Sequence, residues 1–228
     1  MSDTGGTPLD TIGALAVAEH QVTSSLRHIE VYTMSGLLSA LWRGPFDAEG
    51  VVLMGGGAMG GLLGPAEALY PRLADELAGI GIGSLRVGYR SPGDLETCVH
   101  DMAAAAEMAT LSGARAIGVM GHSFGGAVAV RAGLAFGEHC PGVVTLATQA
   151  LGCEEADGLS PTPLLLIHGD ADEILPHMAS QMVQMIAGGE LRIIPGAGHM
   201  FNGHGDDLTA GLRDWWSERF AEHRSESS

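Results

Sequence analysis

Six short apolar runs are spread along the chain with helical patterns between them, and this alternation constrains the fold more than any other feature. They are Val51 to Met54, Leu85 to Tyr89, Ala116 to Met120, Val143 to Ala147, Leu164 to Ile167 and Leu191 to Ile194. Each is short and mostly apolar, which looks like a strand buried on both faces. Leu69, Leu73 and Leu77 recur at helical spacing before Gly79, and another helical stretch runs from Ser91 to Leu111. Ser91-Pro92-Gly93-Asp94 has the look of a helix start: a capping serine, proline at the first position and an acid three residues on. A last helix, Asp206 to Phe220, places Leu208, Leu212 and Trp215 or Trp216 on one face. Alternating strands and helices predict an α/β fold, a mostly parallel sheet covered on both sides.

Ahead of this alternation, Leu26 to Tyr32 and Gly36 to Trp42 flank Met34-Ser35-Gly36 and suggest an antiparallel hairpin. Residues 1–25 form a small, polar segment expected to be loosely ordered; 26–221 make one domain, and 222–228 a polar tail. The charge of −16 disfavours nucleic acid and anionic lipid as partners. No secretory signal is evident, nor any stretch of the roughly 20 apolar residues that span a bilayer, so a soluble, cytoplasmic protein is expected. Cys98, Cys140 and Cys153 lack zinc-site spacing and are expected as free thiols, and no histidine spacing suggests a metal. Met178, Met182 and Met185, three or four apart, are expected on the buried face of a helix.

In open parallel sheets ligands bind beyond the carboxyl ends of the strands, so the residues after each apolar run carry the chemistry. After Met120 comes Gly121-His122-Ser123-Phe124-Gly125-Gly126, then Ala127 to Arg131 as a helix start. This is Gly-x-Ser-x-Gly in a strand-turn-helix setting, where glycines permit a turn tight enough to lift the hydroxyl into a cleft. After Ile167 comes His168-Gly169-Asp170-Ala171-Asp172, and after Ile194 comes Pro195-Gly196-Ala197-Gly198-His199. Serine, acid and histidine thus follow in order, each beyond a strand end. Ser123 is the candidate nucleophile, His199 the general base and Asp172 the acid that orients it.

In these motifs the chain resembles the α/β-hydrolase superfamily, in particular its small members similar to dienelactone hydrolases and short carboxylesterases. Gly121 to Gly126 resembles the nucleophile elbow, His168-Gly169-x-x-Asp172-x-x-x-Pro176 the acid loop, and Gly196-Ala197-Gly198-His199 the histidine loop. The resemblance covers about residues 26 to 220 and departs from dienelactone hydrolases in having serine rather than cysteine as nucleophile. It implies hydrolysis of an ester or related acyl bond of a small molecule, with no cofactor. About 16 residues separate the fourth and fifth apolar runs, which leaves no room for the cap domain usually inserted there.

The elbow supplies the N–H of Phe124 to an oxyanion hole, and the second donor is expected in Met54-Gly55-Gly56-Gly57-Ala58-Met59-Gly60-Gly61, with Gly56 preferred to Gly57. Met54 stands where the family commonly has histidine. Met59, Phe124, Leu151 and Met200 are candidate apolar walls for substrate. Two rival readings remain. Gly55, Gly57 and Gly60 also satisfy a dinucleotide-binding fingerprint, with Arg90 placed to meet a 2′-phosphate of NADP. Alternatively, the same fold could bind a ligand without hydrolysing it. The oligomeric state is not encoded legibly.

Overall fold

The opening segment is more ordered than its composition suggests. In the computed structural model, which describes residues 6–226, Thr7 caps a short helix α1 (Pro8–Thr11), and Ala14–Thr23 form strand β1. Strand β1 pairs antiparallel with β2 (Leu26–Thr33), and β2 pairs with β3 (Gly36–Arg43). The expected hairpin is therefore the inner part of a three-stranded meander, and residues 14–23, expected to be loosely held, form its edge. Nearly every β1 side chain is exposed, so the strand is ordered by its backbone ladder to β2 and not by a buried face. Residues 1–5, and residues 227–228 of the tail, lie outside the described part.

The six apolar runs are the six strands that follow: β4 (Gly50–Gly55), β5 (Gly83–Gly88), β6 (Ala116–His122), β7 (Val143–Leu146), β8 (Leu164–Gly169) and β9 (Glu190–Ile194). They are mutually parallel, and β3 joins the meander to them by antiparallel pairing with β5. The sheet order is β1-β2-β3-β5-β4-β6-β7-β8-β9. Strand β4 thus sits between β5 and β6, and the chain winds away from it first one way and then the other. In sheets of this kind such a reversal is where ligands bind, beyond the carboxyl ends of the strands on either side of it, here β4 and β6. Helices α2 (Pro65–Gly79) and α6 (Gly205–Glu226) cover one face; α3 (Leu95–Leu111) and α4 (Phe124–Phe136) cover the other. Gly118 interrupts an apolar run because a Cβ there would overlap the Trp216 ring.

Four boundaries or burials differ from expectation. Helix α3 is capped by Asp94, whose carboxylate accepts the Thr97 N–H at 2.8 Å; Ser91-Pro92-Gly93 forms a turn ahead of it, with Gly93 left-handed. Strand β9 is an edge strand, half-exposed, and its Glu190 and Arg192 pair in solvent. Helix α5 (Met178–Ala187) turns Ser180 and Val183 inward, which leaves Met178, Met182 and Met185 exposed on the far side. Helix α6 runs past Phe220 to Glu226, taking up most of the tail. The three cysteines are buried and unbridged. No helix among the described residues is long and apolar enough to cross a membrane.

A buried ion pair ties the meander to the parallel sheet. Asp101, on α3, accepts the Arg90 backbone N–H at 2.8 Å and the Arg90 guanidinium; Arg90 Nη1 then donates to Ser35 Oγ in the β2–β3 turn at 2.6 Å. The paired side chains are 6% and 0% exposed. Removing one partner strands the other charge in the interior, so Asp101→Ala is expected to cost about 3–5 kcal/mol in urea denaturation. Glu190→Ala, which breaks an exposed pair, is expected to cost under about 1 kcal/mol.

Candidate active site

The elbow is built by backbone contact. Ser123 follows the last residue of β6 with φ 57° and ψ −122°, its N–H bonded to Leu146 O at 2.8 Å and its carbonyl accepting the Gly126 N–H at 2.9 Å. A Cβ on Gly121 would overlap the Gly125 carbonyl, one on Gly125 the Gly56 carbonyl, and one on Gly126 the Thr148 side chain. The three glycines of the motif are therefore required by space. Ser123 caps α4, so Phe124 is the first helical residue and its N–H lacks an intrahelical acceptor. The helix amino terminus adds partial positive charge at that point.

Beyond β8, the Asp172 carboxylate is wholly buried and accepts four hydrogen bonds. Oδ1 receives the N–H groups of Ile174 (2.8 Å) and Leu175 (2.9 Å). Oδ2 receives His199 Nδ1 at 2.7 Å and His168 Nε2 at 3.1 Å. Burial works to raise its pKa, but the Leu175 N–H, His199 and the Ile174 N–H outweigh it and hold the carboxyl below its ordinary value. His199 thus donates through Nδ1, which leaves Nε2 of the neutral ring as an acceptor.

The histidine loop is tied down on both sides. Asp170 Oδ1 accepts the Gly196 N–H at 2.6 Å, so this acid braces the loop and makes no bond to His199. Met200 O accepts the Ala66 N–H at 2.7 Å, and Glu67 Oε1 accepts the Gly203 N–H at 3.2 Å. His122 connects this loop to the elbow: its Nε2 donates to His199 O at 2.9 Å, and the two rings lie 4.8 Å apart. Burial pushes the His122 pKa down to about 4 against the opposing effect of the His199 carbonyl, so this ring is a neutral support. The structure therefore brings His199 and Asp172 into direct contact and sets Ser123 next in the chain to the residue that braces His199. The Ser123 hydroxyl itself makes no hydrogen bond to a described residue.

No family profile and no curated relative matches the chain. Solved structures do. Est1E from Butyrivibrio proteoclasticus superposes with a TM-score of 0.74 at 18% identity, over 85% of this chain and 99% of that one. A dienelactone hydrolase from Anabaena variabilis gives 0.68 at 20%, over 89% and 98%. An α/β serine hydrolase without lid from Xanthomonas campestris gives 0.66 at 19%, over 87% and 96%. The chain has the α/β-hydrolase fold.

Within this α/β-hydrolase fold the other expected site residues divide. Of the two glycines, Gly57 faces the serine turn, with Ser123 Cβ and His122 Nδ1 the nearest atoms to where its Cβ would stand, whereas Gly56 is pressed against Gly60 and Gly61. Phe124 is buried. Met59 is 95% exposed and Leu151 75%, so neither is packed as a wall; Met200, at 44%, lies beside His199. The dinucleotide reading loses its supports: α2 begins at Pro65 and not at Gly60, and Arg90 is occupied by Asp101. For His168 the sequence offers one signal, its position four residues before Asp172 in the acid loop.

The low pKa of His122 has a consequence for stability. In the unfolded chain a histidine protonates near pH 6.5, whereas the folded His122 stays neutral to about pH 4, so between these values the unfolded state binds more protons. Stability contributed by this residue is complete above pH 6.5 and falls by roughly 3 kcal/mol as pH drops to 4. Urea unfolding of wild type and His122→Gln across this range is expected to show a shallower decline in the variant.

Proposed function

We propose that the protein is a serine hydrolase that cleaves a carboxylic ester, or a related acyl bond, through an acyl-enzyme on Ser123. The observation that supports this most is the 2.7 Å bond from His199 Nδ1 to the buried Asp172 carboxylate, in a loop that His122 ties to a strained serine turn at a helix amino terminus. A serine hydroxyl is a weak nucleophile until a base removes its proton. In this reading His199 Nε2 takes that proton as Ser123 Oγ attacks the acyl carbon. Asp172 holds the ring with Nε2 toward the serine and stabilises the imidazolium. The developing oxyanion is met by the free N–H of Phe124 and by an N–H from the Gly56-Gly57 segment. His199 then returns the proton to the departing alcohol as the C–O bond breaks. Water, deprotonated by the same ring, releases the acid and restores Ser123.

The similar structures support the hydrolase part of this reading, and one of them is Est1E with ferulic acid bound. The connection between β7 and β8 holds a single short 3₁₀ turn, at Ala156–Leu159, so it carries no cap domain, and in this reading the site is open. A small acyl substrate, or the exposed end of a larger one, suits such an opening. No cofactor is needed for this chemistry, and nucleic acid is not a partner in this reading.

The test is a panel of p-nitrophenyl esters from acetyl to palmitoyl. Short chains are expected to be turned over fastest, with a burst of p-nitrophenol. Ser123→Ala and His199→Ala are expected to lower kcat/KM roughly 1,000-fold or more, as is Asp172→Asn. Labelling by a fluorophosphonate that persists in Ser123→Ala would refute the assignment of the nucleophile.

A further inference from the structure

The mechanism above gives His168 no part, yet it is the second imidazole on the oxygen of Asp172 that holds His199. Its side chain is fully buried at the end of β8, and every polar atom of the ring is engaged. Nε2 lies 3.1 Å from Asp172 Oδ2 and 2.9 Å from Leu175 O. Both neighbours are acceptors when Asp172 is ionised, so Nε2 must carry the hydrogen. Nδ1 of the neutral ring is then an acceptor, and Ser180 Oγ, at 2.7 Å and itself buried on α5, is placed to donate to it. Burial, opposed by the Leu175 carbonyl and Asp172, lowers the pKa of this histidine, which keeps the ring in the form with one donor.

Resting on the proposed hydrolytic role of Asp172, we infer that His168 is a positioning residue for the acid, with its tautomer fixed by Ser180. The Oδ1 oxygen is held by two backbone N–H groups, and these set where the carboxylate sits. Oδ1 and Oδ2 turn together about the bond to Cβ, so the two N–H groups on Oδ1 and the His168 N–H on Oδ2 fix that rotation jointly. His168 occupies one side of Oδ2 and confines His199 to the other. It also draws off part of the charge on Oδ2, so the attraction between Asp172 and protonated His199 is weaker than an unshared oxygen would give. Ser180 matters because a ring with hydrogen on Nδ1 would turn a lone pair on Nε2 toward the carboxylate. This assigns a reason for a serine on the buried face of α5, where packing alone favours an apolar residue.

The titratable groups around His199 are Asp172 and His168 from β8 and its loop, and His122 from the end of β6. Asp170 and Glu67 brace the backbone of the same loop, and His204 lies farther along it. None of the last three makes a bond to the His199 ring. The loss of the His168 donor should therefore act on His199 through Asp172.

The experiment compares wild type with His168→Leu, His168→Gln and Ser180→Ala, using kcat/KM against pH for a short p-nitrophenyl ester and proton NMR of His199 Nδ1–H. His168→Leu is expected to lower kcat about tenfold with KM within about twofold. Its acidic limb should move to higher pH by roughly half a unit or more, because the unshared carboxylate favours protonated His199. The Nδ1 proton should move downfield. Gln, whose amide N–H can still reach Oδ2, should restore most of the limb position. Ser180→Ala should move limb and proton the same way by less, and it serves alone if His168→Leu does not fold. An acidic limb and an Nδ1 resonance that stay at their wild-type positions in the folded variants would overturn the proposal, whatever happens to stability or kcat. If wild type hydrolyses no ester, the functional reading fails, and the His199 resonance still decides whether His168 acts on Asp172.

Discussion

The structure depends on backbone meeting backbone at the carboxyl edge of the parallel sheet. Where β6 turns into α4, Gly121 faces the Gly125 carbonyl, and Gly125 in turn faces the carbonyl of Gly56 beyond β4. Where β8 ends, Gly169 meets the Ala197 carbonyl in the same way. These approaches are shorter than any side chain allows, and they draw the loops after β4, β6, β8 and β9 into one region. Without them the serine turn, the acid loop and the histidine loop would each be pushed outward by a methyl group or more. The glycines are thus the means by which loops separated by dozens of positions approach one another.

Given that proximity, the electrostatic arrangement follows from burial. A carboxylate with no exposed surface is tolerable only if its lone pairs are occupied, and all four hydrogen bonds to Asp172 come from its own loop, from β8 and from the histidine loop. The surrounding imidazoles, His122 and His168, are both held toward the neutral form, chiefly by burial. They add hydrogen-bond direction without adding positive charge, so neither competes with protonated His199 for Asp172 as a cation would. Each is also locked by a specific partner: a carbonyl for His122, and a hydroxyl, a carboxylate and a carbonyl for His168.

How far the sequence discloses all this can be judged from particular residues. Strands such as β4 and β8 are legible because a strand covered on both faces requires continuous apolar residues, as in Val51 to Met54 and Leu164 to Ile167. Ser123, Asp172 and His199 are legible as candidates because the fold puts chemistry after strands, and each follows one. Strand β1 is not legible, since its order comes from main-chain pairing to β2 and its side chains record no burial. Neither was the Arg90–Asp101 pair, which joins residues on different elements.

Helix α5 shows the limit most clearly. Two sets of residues on it share helical spacing, the methionines at 178, 182 and 185 and the smaller set Ser180, Val183 and Ala187. Hydrophobicity selects the first as the buried face, but the structure buries Ser180 and Val183 and exposes the methionines. The rotation of the helix is consistent with a polar demand: the ring of His168 lies in the interior with an Nδ1 that needs a donor, and the Ser180 hydroxyl on α5 supplies one at 2.7 Å. An unsatisfied buried nitrogen costs about 1–3 kcal/mol, comparable to the gain from burying one methionine. Periodicity reads only the second of these terms, so it chooses the wrong face wherever a buried polar group outside the helix sets the first.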